Sequence, residues 1–443
     1  GTWSNTAVVG KGISVSGSGV LNLGDTFTTT GIGRITRSGG SIHVTGVLDN
    51  TGQTLDIGAT GPFGAGGLTS LTGTVTNGTI VSGDGTLLNT PSGTLDGVTI
   101  GSNLGFTGGY AYIYNHLLLA NGITVNKGSA EWYFRSGGTQ NLAMVSGTAT
   151  INNAGGGTYA GYGVAGQTLQ IGAGVTFQGY GTLSDSTPAT IVNNGTLIGN
   201  TAGQTLTVSP TNFTNNGTLR VTAGTLTVTP TNWTNSATGS IQAQGGTLTL
   251  NGTSLGNSGA LSLSTGTVFN LGGTVTVASL GSFTRAAGST VNLTGTLNLG
   301  GGTLDIGSAG AFGTGGLSSL TGTLVNGTIV SNDGTLLNSS NGSLDGITIG
   351  SNLGFGGSST NFYNHLLLAN GITVDKNSNA WYFRTTGTQN LTTVSGTATI
   401  NNAGGGTYAG WGVAGQTLQV GSGVTFQGYG TCGDTSIATR VNS

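Results

Sequence analysis

Apolar residues in this chain return at intervals of 20 to 24 positions. Leu197, Leu219, Ile241 and Leu261 are separated by 22, 22 and 20 residues, and Leu206, Leu226, Leu248 and Phe269 run beside them at 20, 22 and 21. Upstream the same beat reads Ile57, Ile80, Ile100, Ile123, Val145, Leu169 and Ile191. Within each phrase the residues alternate, as in Thr205-Leu206-Thr207-Val208, so Leu and Val point one way and Thr the other. Short alternating strands at this period, punctuated by Gly-Gly, Asn-Gly and Asp-Gly, predict stacked coils. The expected fold is all-β: a single-stranded right-handed parallel β-helix, or β-solenoid, of about 20–24 residues per coil. A sandwich fits worse, because hairpin meanders do not return one residue class at a constant offset over so many units.

Composition agrees with coils and excludes several alternatives. Gly fills 90 of 443 positions, well above the usual ~7%, yet only 5 Pro occur and no Gly-X-Y triplet persists, which excludes collagen. Gly, Thr, Ser and Asn also disfavour helix interiors. Charged residues are 5% of the chain, against about 25% in an ordinary soluble domain. A net charge of −2 without any Lys/Arg cluster gives no electrostatic case for nucleic acid or an anionic membrane. No apolar run approaches the ~20 residues that insert across a bilayer, so no direct membrane insertion is expected. Cys432 is the one cysteine, which excludes an internal disulfide framework.

A longer period overlies the coil beat. From Thr54 onward residues recur 249 positions later: His116 with His365, Trp132 with Trp381, Tyr180 with Tyr429 and Val192 with Val441. Before His43 the offset is 248, pairing Arg37 with Arg285. The expected organisation is one continuous β-solenoid over residues 1–443. Residues 1–53 would end a preceding repeat, 54–302 form one full long repeat and 303–443 a truncated second. A chain that starts without Met and stops in mid-repeat reads as a window on a longer tandem array.

The repeated phrase in Asn215-Asn216-Gly217-Thr218-Leu219-Arg220-Val221 and Gly245-Gly246-Thr247-Leu248-Thr249-Leu250 resembles the passenger regions of bacterial autotransporters and filamentous-haemagglutinin-type adhesins. That resemblance implies a β-helix, export to the cell surface or extracellular space, and adhesive or scaffold duty.

Chemistry-bearing residues are sparse. Asp56, Asp84, Asp96 and Asp185 recur as Asp305, Asp333, Asp345 and Asp434, but Asp84-Gly85 and Asp96-Gly97 read as turns, and no carboxylate pair can be placed at catalytic distance. His116 and His365 lack further ligands, and the calcium-solenoid signature G-G-x-G-x-D is missing. No enzyme activity, metal or cofactor is therefore expected. Thr205/Thr207, Thr225/Thr227 and Thr247/Thr249 form a short ladder like an ice-binding face, though Val268-Phe269-Asn270 breaks it. The aromatic block is the strongest surface candidate. In Trp132-Tyr133-Phe134-Arg135 alternation sends Tyr133 and Arg135 to the face opposite Trp132 and Phe134, and either pair could be the exposed one. Candidate contacts for self-association or glycan binding are Trp132, Tyr133, Arg135, Tyr162, Trp381, Tyr382, Arg384 and Trp411. The expected partners are copies of the chain itself, with glycans or a host or neighbouring cell surface as the alternative.

Overall fold

The computed structural model describes residues 12–434 and 438–442. Residues 1–11, the start of the segment expected at 1–53, lie outside the described residues. The chain divides into two compact units, Gly1–Ser240 and Ile241–Ser443. This division does not coincide with the long repeat, whose first copy spans 54–302.

Each unit is a parallel β-solenoid. In the first unit Leu197 pairs with Leu219 and Leu206 with Leu226, and Phe213 pairs with Trp233. In the second, Leu248 pairs with Phe269 and Phe269 with Val291. These residues are buried. The parallel register puts each apolar side chain on its equivalent one coil away, while the residues between them face outward. Burying each Leu or Phe in such a column contributes roughly 1.5–3 kcal/mol. Among the described residues, helix is confined to two short 3-10 segments, Thr30–Ile32 and Val277–Leu280.

Polar residues inside the coils are tied into ladders. Asn193 Nδ2 donates to Asn215 Oδ1 at 2.7 Å, and Asn215 Nδ2 donates to Asn235 Oδ1 at 2.6 Å. All three are fully buried. A buried amide without partners costs about 1–3 kcal/mol, so stacking like on like satisfies groups that a single coil could not, although Asn193 Oδ1, at the end of this ladder, is left without a partner among the described residues.

Coil lengths spread beyond the expected 20–24 residues. Leu95 pairs with Ile113, 18 positions on, whereas Asn141 pairs with Gln170, 29 positions on. The strands hold register and the turns absorb the difference. This variation breaks the upstream column read from sequence. Ile80 pairs with Ile100, but Ile100 pairs with Leu119 rather than Ile123, and Leu119 with Met144 rather than Val145. Val145 is 62% exposed. A slip of one residue exchanges inward and outward faces, which is what separates Met144 from Val145. Asp96-Gly97 is likewise a bulge inside the strand Gly93–Ile100 rather than a turn, with Gly97 at φ +64°. Asp84 does act as a turn residue: Oδ2 accepts the Ala59 N–H and Oδ1 that of Thr86, both of which hold its carboxyl down to about 2.

Candidate functional site

The aromatic block becomes a surface platform through strand register. The strands Tyr110–Leu119, Glu131–Phe134 and Ala149–Ala160 lie side by side, with Tyr112 opposite Tyr133 and Tyr133 opposite Tyr159. Alternation sends Trp132 and Phe134 inward, where both are fully buried. Phe106 meets Trp132 edge-on at 5.2 Å. Tyr133 and Arg135 are thereby placed on the outer face, half-buried. This corrects the expectation for Trp132 and Trp381, which are both 0% exposed and cannot touch a partner. The indoles fill the coil with their N–H groups buried and without a hydrogen-bond partner among the described residues, whereas the phenol and the guanidinium keep their polar ends at the surface.

A turn adds the next ring. Gln167 is fully buried; its Oε1 accepts the Gly161 N–H at 2.5 Å, and its Nε2 donates to Gln140 Oε1 at 2.9 Å and to the Ser136 carbonyl. This clamp fixes the turn that carries Tyr162, bringing its ring to 4.3 Å from that of Tyr133. Tyr133 stacks on Tyr159 at 5.2 Å with 15° between planes, and Tyr110 lies 5.0 Å from Tyr112 and 5.8 Å from Tyr133. The Tyr133 hydroxyl donates to Glu131. Burial and this hydrogen bond push the phenol's pKa well above its usual value.

Arg135 lies among these rings. Its guanidinium carbon is 4.4 Å from the Tyr112 ring centre, 5.0 Å from Tyr162 and 5.9 Å from Tyr114. Among the described residues no side chain or carbonyl accepts a hydrogen bond from that guanidinium. The contrast with Arg285 is sharp: its guanidinium donates to Ser289, Phe312, Gly316 and Ser318.

The second copy builds a reduced version. Tyr382 stacks on Tyr408 at 5.3 Å, and Trp411, 37% exposed, lies 4.3 Å from Tyr382. Gln416 clamps this turn as Gln167 does in the first copy, accepting the Gly410 N–H and donating to Gln389 Oε1 at 2.8 Å. Arg384 Nε donates to the Trp411 carbonyl at 3.3 Å. Ser359, Asn361 and Ala380 stand where the first copy has Tyr110, Tyr112 and Glu131.

Beneath each platform lies a group that the sequence did not single out. Lys127 and Lys376 are fully buried. Lys127 Nζ donates to the Ala130 carbonyl and, at 3.0 Å, to Asn153 Oδ1, with the Trp132 ring centre 5.8 Å away. Lys376 repeats the arrangement with the Asn379 carbonyl, Asn402 at 3.3 Å and Trp381 at 5.9 Å. Desolvation lowers the two ammonium pKa values to about 7 and about 8. A lysine followed by Gly or Asn within a strand reads as solvated, so nothing in the sequence marked it as interior.

The remaining candidates fall into place around this. His116 and His365 are half-buried strand residues in register with Asn141 and Asn390. Among the described residues no three His, Cys, Asp or Glu side chains lie close enough to share a metal ion. A threonine column longer than the expected one runs Thr124, Thr150, Thr176, Thr196, Thr218. The outward column beside it changes from Asn126, Asn152 and Gln178 to Ile198 and Arg220, so the two do not make a flat Thr-x-Thr array. Among the described residues no helix is long and apolar enough to cross a membrane. No family model, curated protein or solved structure matches this chain.

Proposed function

We propose that the chain is a structural β-solenoid of the cell surface or extracellular space, built from tandem 249-residue units and serving as a fibre, matrix filament or adhesin stalk. The observation that carries this reading is the like-on-like parallel register, with Leu on Leu and Asn on Asn. It lets coils be added by duplication, each stabilised chiefly by its neighbours. The resemblance to autotransporter and filamentous-haemagglutinin-type passengers supports the same location. With only 22 charged side chains in 443 residues, little repulsion opposes contact between copies, and the outward Tyr133, Arg135, Tyr382 and Arg384 offer aromatic and guanidinium anchors for it. Replacing these four with Ser tests the assembly step by sedimentation over a concentration series. Weakened association with an unchanged fold supports it; a wild-type chain that stays monodisperse at high concentration rejects it.

A second reading, glycan contact, is favoured by the first platform. Its tyrosine rings rise in register from coil to coil with their outer parts accessible, a surface on which pyranose faces can stack.

A further inference from the structure

The guanidinium of Arg135 is the polar group on this surface whose surroundings ask for a ligand. Two other half-buried arginines have a full set of acceptors: Arg37 donates to Gly39, Gly40, Gly67 and Thr69, and Arg285 does the same with four residues. Arg135 is held instead by ring faces, Tyr112 at 4.4 Å and Tyr162 at 5.0 Å. Contact with ring faces leaves its N–H groups without an acceptor among the described residues, and a guanidinium in that state can bind a planar oxyanion through two parallel hydrogen bonds. The flanking tyrosine rings, half-buried, supply apolar surface beside the guanidinium. Glu131, the platform's carboxylate, sits four residues back on the same strand, about 13 Å of extended backbone away. Its carboxylate accepts the Tyr133 hydroxyl, and it forms no ion pair with Arg135 among the described residues.

From this we infer that the Tyr112, Tyr133, Tyr162 and Arg135 platform binds an acidic saccharide, its carboxylate on Arg135 and its ring faces on the tyrosines. The inference rests on the glycan reading and narrows it to uronate-type sugars. It also separates the two copies. In the second, Asn361 replaces the ring equivalent to Tyr112, and Arg384 already donates to the Trp411 carbonyl.

The test is titration of the whole chain with a galacturonate tetramer and with its methyl ester, which keeps the sugar faces and removes the charge. The acid should bind roughly tenfold or more tighter than the ester, and Arg135→Gln should abolish that preference while Arg384→Gln leaves it intact. Equal binding of acid and ester would overturn the anionic site yet leave a glycan platform. No binding of either would overturn both. Because the Arg135 side chain gives up no hydrogen bond on substitution, an Arg135→Gln chain with unchanged circular dichroism and melting is the expected control. Loss of fold in that variant would contradict the geometry on which the inference stands, and Tyr112→Asn, which copies the second repeat, then reads the same preference.

Discussion

The two aromatic coils keep most of their interior and differ on their outer face. The buried changes are Ala111 to Thr360, Ile113 to Phe362 and Ala130 to Asn379, of which Thr360 and Asn379 hydrogen-bond to each other. Trp132 and Trp381, Phe134 and Phe383, Lys127 and Lys376, and the clamps Gln167 and Gln416 are equivalent and buried in both. At the platform positions, Glu131 becomes Ala380, Tyr162 becomes Trp411, and Tyr112 becomes Asn361, a buried amide that donates to the Asn341 and Gly342 carbonyls. Inside a coil each side chain touches its equivalents above and below, so a change there disturbs several coils. Outside it touches solvent and a few neighbours, so it can diverge after duplication. The interior therefore builds the coil, and most of what distinguishes one repeat from the next is carried by the platform residues.

The largest effect expected from breaking this comparison is in the interior. Trp132→Ala and Trp381→Ala should each cost about 3–5 kcal/mol of the local unfolding free energy, because each leaves a cavity beside a buried lysine. Hydrogen exchange of the flanking strands measures it. A cost near zero in either copy would mean that the two interiors are not equivalent.

The buried lysines give a pH signature next in size. Their folded-state pKa values, about 7 and about 8, lie below the ordinary 10.5. Between these limits the unfolded chain binds more protons than the folded one, so stability rises with pH from about 7 toward 10.5 and is lost as pH falls back toward the folded values. Denaturation midpoints across pH 7 to 10 should climb in the wild type, and the slope should flatten when Lys127 and Lys376 are both replaced by Met. A flat wild-type profile would show that the ammonium groups reach water.

Arginines sharpen the contrast further. Arg285→Gln should cost about 2 kcal/mol, since it removes charged hydrogen bonds to several acceptors, while Arg135→Gln should stay within about 0.5 kcal/mol. Chemical denaturation of the two variants distinguishes them; equal losses would mean that Arg135 has partners of its own. Tyr112→Asn should cost about 1 kcal/mol by the same measurement, because it removes ring contacts to Tyr110, Tyr133 and Tyr162 and one cation–π pair at the surface.

Much of the fold was legible in the sequence because the apolar columns are direct records of coil stacking. Leu206 and Leu226, or Leu248 and Phe269, keep their spacing because the turns between them differ little in length. Val145 was misplaced because the coils before it are 19 and 25 residues long, Ile100 pairing with Leu119 and Leu119 with Met144, so the period fails there. The platform was half legible. Alternation separated Tyr133 and Arg135 from Trp132 and Phe134, but aromatic rings pack on either side of a strand, so the outward face waited on the register. Tyr162 and Trp411 were flagged by composition alone; what brings them against Tyr133 and Tyr382 is the pair of buried glutamines, a contact across coils that no local pattern records.

Immunolabelling of the cells that produce this chain, before and after permeabilisation, tests the proposed role most directly. If the chain is a surface or extracellular solenoid, intact cells or the material between them should carry the label at nearly the level seen after permeabilisation. Label that appears only once cells are permeabilised would contradict it.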